Sequence, residues 1–230
     1  MERVNEFGQP VGEELANWTT CQIPEVTHLD GRYTRVSAMS VTDHASDLWR
    51  SFRSAPNSLW TYMSIGPFLD EAVFVKAMER LVEHPDRFPY VVEIDGVSCG
   101  LACYMRVEPA LGVLEIGSIV FSPSLQRSTA ATETLYLMIN HAMQLGYRRC
   151  EWKCDDLNMP SRSAAERIGF RYEGTFRKAT HYKGRSRDTA WYALTDDDWA
   201  LLTDSYEAWL APDNFGGSGR QILSLAQLRS

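Results

Sequence analysis

No apolar run in the sequence approaches the ~20 residues that crossing a bilayer requires, and the first residues, MERVNEFGQP, lack the apolar centre of a secretory signal. A membrane partner is therefore not expected, and the chain is expected in the cytoplasm. Cysteine is present without a pattern: Cys21, Cys99, Cys103, Cys150 and Cys154 are odd in number and form neither CxxC nor a Cys/His zinc spacing. No metal and no disulfide framework is expected, and these thiols read as small buried hydrophobes. Positive charge is also short, with 23 Lys and Arg against 30 Asp and Glu and a net charge of -7. That balance argues against a nucleic-acid partner and suits a cationic substrate. Repeats and heptads are missing, and the GGSG at Gly216 to Gly219 is the single low-complexity stretch. The absence with most consequence is glycine, which does not occur between Gly117 and Gly146.

What remains is ordinary globular material, 230 residues with 44% hydrophobic side chains, enough for one substantial core. Residues 1–29 lack periodicity and read as an extended arm packed by Trp18. GRYTRVSAM suggests a first strand. TDHASDLWRSFR, with Thr42 as candidate N-cap, and DEAVFVKAMERLVEH, stopped by Pro85, predict two helices. Strand patterning then takes over: YVVEIDGVSCGLACYMRV carries an Asp95-Gly96 turn between β-rich arms, and GVLEIGSIVF adds a third strand. A helix from about Thr129 to Leu145 is closed by Gly146. YRRCEWKC, the short helix MPSRSAAERIG, an antiparallel pair around Lys183-Gly184 and a last helix from Asp196 complete the chain. The order predicts an α+β fold with a mixed sheet and no second domain.

Two motifs in that order carry a resemblance. NMPSRSAAERIGFRYEG is similar to the N-x-x-S-x(7)-G-F-x-x-E-G signature, and EIGSIVFSPSLQRSTAATE to the acyl-CoA-binding strand, loop and helix, of the GNAT acyltransferase superfamily, in its RimJ/RimL-type branch of ribosomal-protein N-terminal acetyltransferases. The resemblance spans roughly residues 30–196. It implies a GNAT fold, a mostly antiparallel twisted sheet with one parallel, splayed strand pair flanked by helices; beyond it, a C-terminal helix and tail packed on the domain are expected over 197–230. The implied activity is acetyl transfer from acetyl-CoA to a primary amine of a small molecule or a protein N-terminus. Transfer of a succinyl or larger acyl group, and a non-catalytic coenzyme A-binding module, are the alternatives, and a homodimer is allowed.

The family's loop reads Gln/Arg-x-x-Gly-x-Gly/Ala, whereas this chain has Gln126-Arg127-Ser128-Thr129-Ala130-Ala131. What a pyrophosphate needs is backbone N–H groups at a helix N-terminus, whose dipole favours an anion. Small residues satisfy that where no positive φ is required, and Ser128, Thr129 and Arg127 offer further donors. The structural alternative is that Ser128 or Thr129 only caps a core helix. By resemblance, Ile119, Val120 and Phe121 offer backbone groups to the pantetheine and the thioester oxygen, and Asn158 reaches the pantetheine arm. The tyrosine that many relatives use as acid is replaced by Ala165, so Ser161 becomes the candidate proton donor. Glu115 is the candidate base, with Glu151 in reserve. Each also has a plain reading, a helix-turn hydroxyl for Ser161 and a salt-bridged strand residue for Glu115. Trp60, Tyr62, Phe68 and Trp152 are expected as walls of the acceptor pocket and His141 as structural; FRKATHYKGRSR is a basic hairpin suited to an acidic acceptor, the carboxylate of a larger acyl donor or RNA, with a solvated strand pair as its plain reading.

Overall fold

The computed structural model describes residues 3–217 and 219–229; Met1, Glu2, Ser218 and Ser230 of the expected arm and tail lie outside them. Its strands are β1 (His28–Asp30), β2 (Arg35–Ala38), β3 (Arg87–Ile94), β4 (Val97–Glu108), β5 (Val113–Phe121), β6 (Arg149–Asp155), β7 (Arg171–Tyr182) and β8 (Arg185–Thr195). The helices are α1 (Val41–Phe52), α2 (Glu71–Val82), α3 (Thr129–Gln144), α4 (Met159–Ile168), α5 (Asp196–Leu210) and α6 (Leu225–Leu228). The strands form one eight-stranded sheet in the order β1-β2-β3-β4-β5-β6-β8-β7. All neighbours are antiparallel except β5 and β6.

Local chemistry accounts for the element ends. The cap of α1 is Ser40 rather than Thr42: its hydroxyl accepts from the Asp43 amide, which starts the helix earlier than the sequence suggests. Asp70 caps α2, and Thr195 forms a capping box with Asp198 on α5. Gly146 and Gly169 take left-handed φ values of 91° and 114° after α3 and α4, where a Cβ would be strained. β1 is an additional short strand at the end of the stretch read from sequence as an extended arm over 1–29.

The sheet buries both faces. One core gathers Tyr104, Leu114, Ile116, Met138, Trp152 and Tyr206 between the sheet, α3 and α5. The other packs α1 and α2 through Leu48, Phe52, Trp60, Phe74 and Met78 against Val91, Leu101 and Cys103. All five cysteines are buried and free. The arm is held by Trp18, whose indole N–H donates to the Ala110 carbonyl at 3.0 Å, and by Tyr90, whose hydroxyl donates to the Pro24 carbonyl at 2.8 Å.

His141 lies in the last turn of α3 beside the Tyr104 ring, with its Nε2 buried and unpartnered among the described residues. Burial lowers its pKa from the ordinary value, because the charged imidazolium loses solvation there. The neutral form is thus favoured in the folded state, so this contribution is complete above about pH 6.5 and is lost as pH falls through the lowered value. The expected outcome is a Tm that declines between neutral and mildly acid pH in the natural protein and declines less in His141→Gln, as scanning calorimetry at several pH values would show.

Candidate active site

The parallel pair β5–β6 is short. Its register runs Val113↔Arg149, Leu114↔Cys150 and Glu115↔Glu151, and then the strands part. β6 stays with β8 along its length to Asp155↔Thr189, so β5 has an edge free of β6 from Ile116 to Phe121. On its other side β5 carries a bulge: Leu101 pairs with Val120 and Cys103 with Gly117, so Ser118 and Ile119 together oppose Ala102, and Ser118 adopts φ 51°. The parting of the strands opens a cavity of about 990 Å³. Its walls include Glu115, Ile119, Val120 and Phe121 of β5, Trp152, Lys153 and Asp155 of β6, Asn158 and Ser161 of α4, and Tyr62 from the α1–α2 connection. The sequence-predicted Glu115, Ser161, Asn158, Tyr62 and Trp152 are therefore brought to one place.

Pro123 and Gln126 on the wall lead into the loop without glycine, whose Arg127, Ser128, Thr129, Ala130 and Ala131 lie beyond the cavity lining. Ser128 is the N-cap of α3, its hydroxyl accepting from the Ala131 amide at 3.1 Å and donating to the Leu125 carbonyl at 2.6 Å. That hydroxyl is committed within the loop and is not a spare donor, contrary to the sequence expectation. The one left-handed residue of the loop is Arg127, at φ 58°. Thr129, which stands at the glycine of the family pattern, and Ala131, at its glycine-or-alanine position, are helical, so neither position needs positive φ. The amides of Arg127, Thr129 and Ala130 have no partner among the described residues and sit at the start of a sixteen-residue helix. This arrangement fits an anion such as a pyrophosphate. Gln126 is turned back, its amide donating to the Phe121 carbonyl at 2.9 Å. Ala130 and Ala131 are buried against Val92, Cys99 and Leu125, so their contribution is through backbone and small size.

Asn158 caps α4, its side chain accepting from the Ser161 amide at 3.3 Å. Ser161 is oriented by Trp152, whose Nε1–H donates to its Oγ at 3.0 Å. A hydroxyl that accepts from an indole retains its own hydrogen for another acceptor.

Glu115 is 4% exposed and sits between cations, with Oε2 3.1 Å from Lys153 Nζ and 3.4 Å from Arg106 Nε. Neither approach is aligned as a hydrogen bond, so the attraction is Coulombic. Its Oε1 faces Gly117, where an added Cβ would stand only 2.8 Å away. Lys153 is itself buried, 2.6 Å from Glu151 and with its ammonium 3.8 Å from the Trp191 ring centroid. Burial acts to raise the Glu151 pKa, but hydrogen bonds from Lys153 and Arg149 outweigh it and hold the carboxyl below its ordinary value. Glu151 is thereby a poor reserve base and does not line the cavity.

Trp60 is a correction to the expected pocket wall. It is 3% exposed and stacks edge-on with Phe52 and Phe68 in the core under α1 and α2, because an indole without a partner for its wide apolar faces gains most by burial. Phe68 joins it there and is absent from the cavity wall.

Several cavity residues were not singled out by sequence reasoning. The Tyr182 hydroxyl donates to Asp155 Oδ2 at 2.7 Å, and Lys183 donates to the carbonyls of Trp60 at 2.6 Å and Ile65 at 3.2 Å, tying the β7–β8 hairpin to the α1–α2 connection. Arg187, Thr189 and Trp191 line the wall from alternate positions of β8. The two-residue periodicity of RDTAW and KCD was the available signal for that shared face. Among the described residues no group of His, Cys, Asp and Glu is placed to hold a metal, and no helix is long and apolar enough to cross a membrane.

Residues 46–170 match the Acetyltransferase (GNAT) family. A GCN5-related N-acetyltransferase from Brucella melitensis is 39% identical, with a TM-score of 0.90 over 94% of this chain and 99% of that one. An uncharacterized N-acetyltransferase, YnaD of Bacillus subtilis (strain 168), is 22% identical over 64% of this chain and 85% of its own length. RimJ of Mycobacterium smegmatis, solved in complex with CoA-disulfide, shares the fold at 22% identity and a TM-score of 0.60, over 72% of this chain and 83% of that one. With the parted parallel strands, the eight-stranded mixed sheet and these matches, the chain belongs to the GNAT acetyltransferase family and is an acyl-CoA-dependent N-acetyltransferase.

Proposed function

We propose that this protein transfers an acetyl group from acetyl-CoA to a primary amine, of a small molecule or a protein N-terminus, held in the cavity between β5 and β6. The observation that carries the reading is the parting of β5 from β6 directly after Glu115 and Glu151, which leaves backbone groups of β5 facing the cavity beside Ser161. That free edge can add pantetheine as a further strand, while the start of α3 takes the phosphates. A thioester brought there supplies the acyl group.

The chain's own residues then have separable tasks. Glu115, on the cavity wall, receives the proton that an ammonium must lose before attack, directly or through water. Lys153 and Arg106 hold that carboxylate in place. Backbone N–H groups of β5 in the Ile119 to Phe121 stretch stabilise the carbonyl oxygen as it gains charge. Ser161, its Oγ fixed by Trp152, returns a proton to the departing sulfur.

Steady release of coenzyme A thiol from acetyl-CoA, dependent on an added amine or N-terminal peptide, tests the reading. No release with any of a broad amine panel would count against it. Glu115→Gln is expected to lose activity most at low pH and to recover partly at high pH, where free amine is abundant. Ser161→Ala is expected to lower kcat about 10-fold to 100-fold below the thiol pKa of about 8.5, with coenzyme A affinity little changed. If both variants keep the natural pH profile and kcat, positioning on the strands carries the rate and neither side chain transfers protons.

A further inference from the structure

The charges around the cavity are unevenly satisfied. Although the protein carries a net charge of -7, the cavity wall holds Arg87, Arg106, Lys153 and Arg187 against the carboxylates Glu115 and Asp155. Lys153 is taken by Glu151 and Glu115, and Arg106 leans on Glu115. Asp155 accepts from Tyr182 and from the Leu157 amide. Neither Arg87 nor Arg187 has a side-chain ion pair or hydrogen bond among the described residues, and Arg187 differs from Arg87 in that its Nε is buried without a partner. Its guanidinium lies 5.8 Å from the Tyr182 ring centroid, and that ring is anchored to Asp155. On the same face of β8, two positions on from Thr189, the Trp191 Nε1–H is a second buried donor with no partner.

A buried N–H without an acceptor is unfavourable, more so when charged, so the buried Nε of a guanidinium on a cavity wall is a site for an acceptor from outside the chain. Asp188, the neighbouring carboxylate in sequence, does not supply one: it accepts from the Lys178 amide at 2.7 Å, where β7 bulges between Phe176 and Thr180. After that bulge Thr180 pairs with Arg187 across the ladder, and Ala179, Thr180 and Arg187 line the same cavity. The planar fork of an arginine matches a carboxylate in bidentate fashion. A phosphate is the weaker match here. The open amides at the start of α3 already offer a separate place for an anion, and Lys183 of the hairpin is occupied by two carbonyls.

Resting on the acetyltransferase reading above, we infer that Arg187 is a specificity-determining residue that binds a carboxylate carried by one of the two reactants, either on the acceptor amine or at the far end of the acyl group. A neutral amine bearing only an acetyl donor would leave Arg187 unpaired, whereas an amino acid, an acidic peptide terminus or a dicarboxylic acyl group would complete it.

The test uses matched pairs. Thiol release from acetyl-CoA is measured with amino acids and short peptides against their carboxamides, and release from succinyl-CoA is compared with that from acetyl-CoA. The expected result is a preference of about 10-fold or more in kcat/KM for the carboxylate member of one set, expressed mainly in KM and abolished by Arg187→Gln. A preference within the acceptor pairs assigns the carboxylate to the amine, and one within the donor pair assigns it to the acyl group. Equal rates within both sets, or a preference that survives Arg187→Gln, overturns the inference while leaving the acetyltransferase reading intact. If no amine supports release from either donor, that reading fails on its own, and equilibrium binding still decides this one. Calorimetric titration of coenzyme A-loaded protein with N-acetylglycine and N-acetylglycinamide, and of free protein with succinyl-CoA and acetyl-CoA, must then show an Arg187-dependent preference for a carboxylate. Equal affinities within both pairs overturn it.

Discussion

Thr129→Glu is expected to weaken coenzyme A binding about 100-fold while leaving the Tm unchanged or slightly higher. Thr129 opens α3, and its hydroxyl makes no hydrogen bond among the described residues, so replacing it removes nothing from the fold. A carboxylate in the first turn of a helix gains about 0.3–1 kcal/mol from the dipole. The same carboxylate opposes a bound phosphate: at ~5 Å and an effective dielectric of ~20 the repulsion is about 3 kcal/mol, which corresponds to about 100-fold in affinity. Thr129→Gly is the matched control and should bind normally, because the position is helical and needs no left-handed freedom. Calorimetric titration with coenzyme A reads both. Unaltered affinity in Thr129→Glu would place the phosphates elsewhere. An indole at Ala131 would not give so clean an answer, since Ala131 is packed against Leu125 and Val92 and its enlargement would disturb the core.

Glu133→Ala is expected to lower the Tm by roughly 10 °C. Glu133 lies inside α3, 3% exposed, and its two oxygens accept from the backbone amides of Arg32 at 2.8 Å, Tyr33 at 2.7 Å and Thr34 at 2.9 Å. One side chain thereby satisfies the turn between β1 and β2 and ties it to the helix that opens the cavity. Removing it leaves partly buried N–H groups without acceptors, a cost of about 4 kcal/mol. A domain of this size loses ~2–4 °C per kcal/mol. Glu133→Gln keeps one carbonyl oxygen and should fall between the two. Differential scanning calorimetry provides the measurement, and a Tm unmoved by either substitution would mean that the turn finds water instead.

Much of this architecture was readable before folding was considered. Asp95-Gly96, Gly146, Gly169 and Pro160 punctuate the chain where backbone geometry demands those residues, so strand and helix order followed from local chemistry. The site was readable to the extent that it is made of local motif: Asn158 and Ser161 belong to one helix start, and the loop at Gln126 to Ala131 to another. Where long-range pairing decides, the sequence was silent. Nothing in the string KCD signals that Lys153 meets both Glu115, on the neighbouring strand, and Glu151, two residues earlier. Trp60 was misplaced because an aromatic residue in a connecting segment looks the same whether it faces a cavity or, as here, Phe52 and Phe68. Arg187 stood within a basic hairpin of ordinary solvated appearance, and only the burial of its unpartnered Nε distinguishes it.

The contact of Lys183 with the Trp60 and Ile65 carbonyls joins segments as much as 123 residues apart in sequence. The hairpin and the α1–α2 connection therefore form one rim of the cavity, and neither can shift outward without breaking the ammonium's bonds to the other. Changes that reshape acceptor choice in one segment will be felt in the other, so their effects should be non-additive across the rim. On the proposed reading, acceptor preference is then a joint property of two distant stretches of chain, and exchanging either stretch alone between relatives would transplant half of a mould.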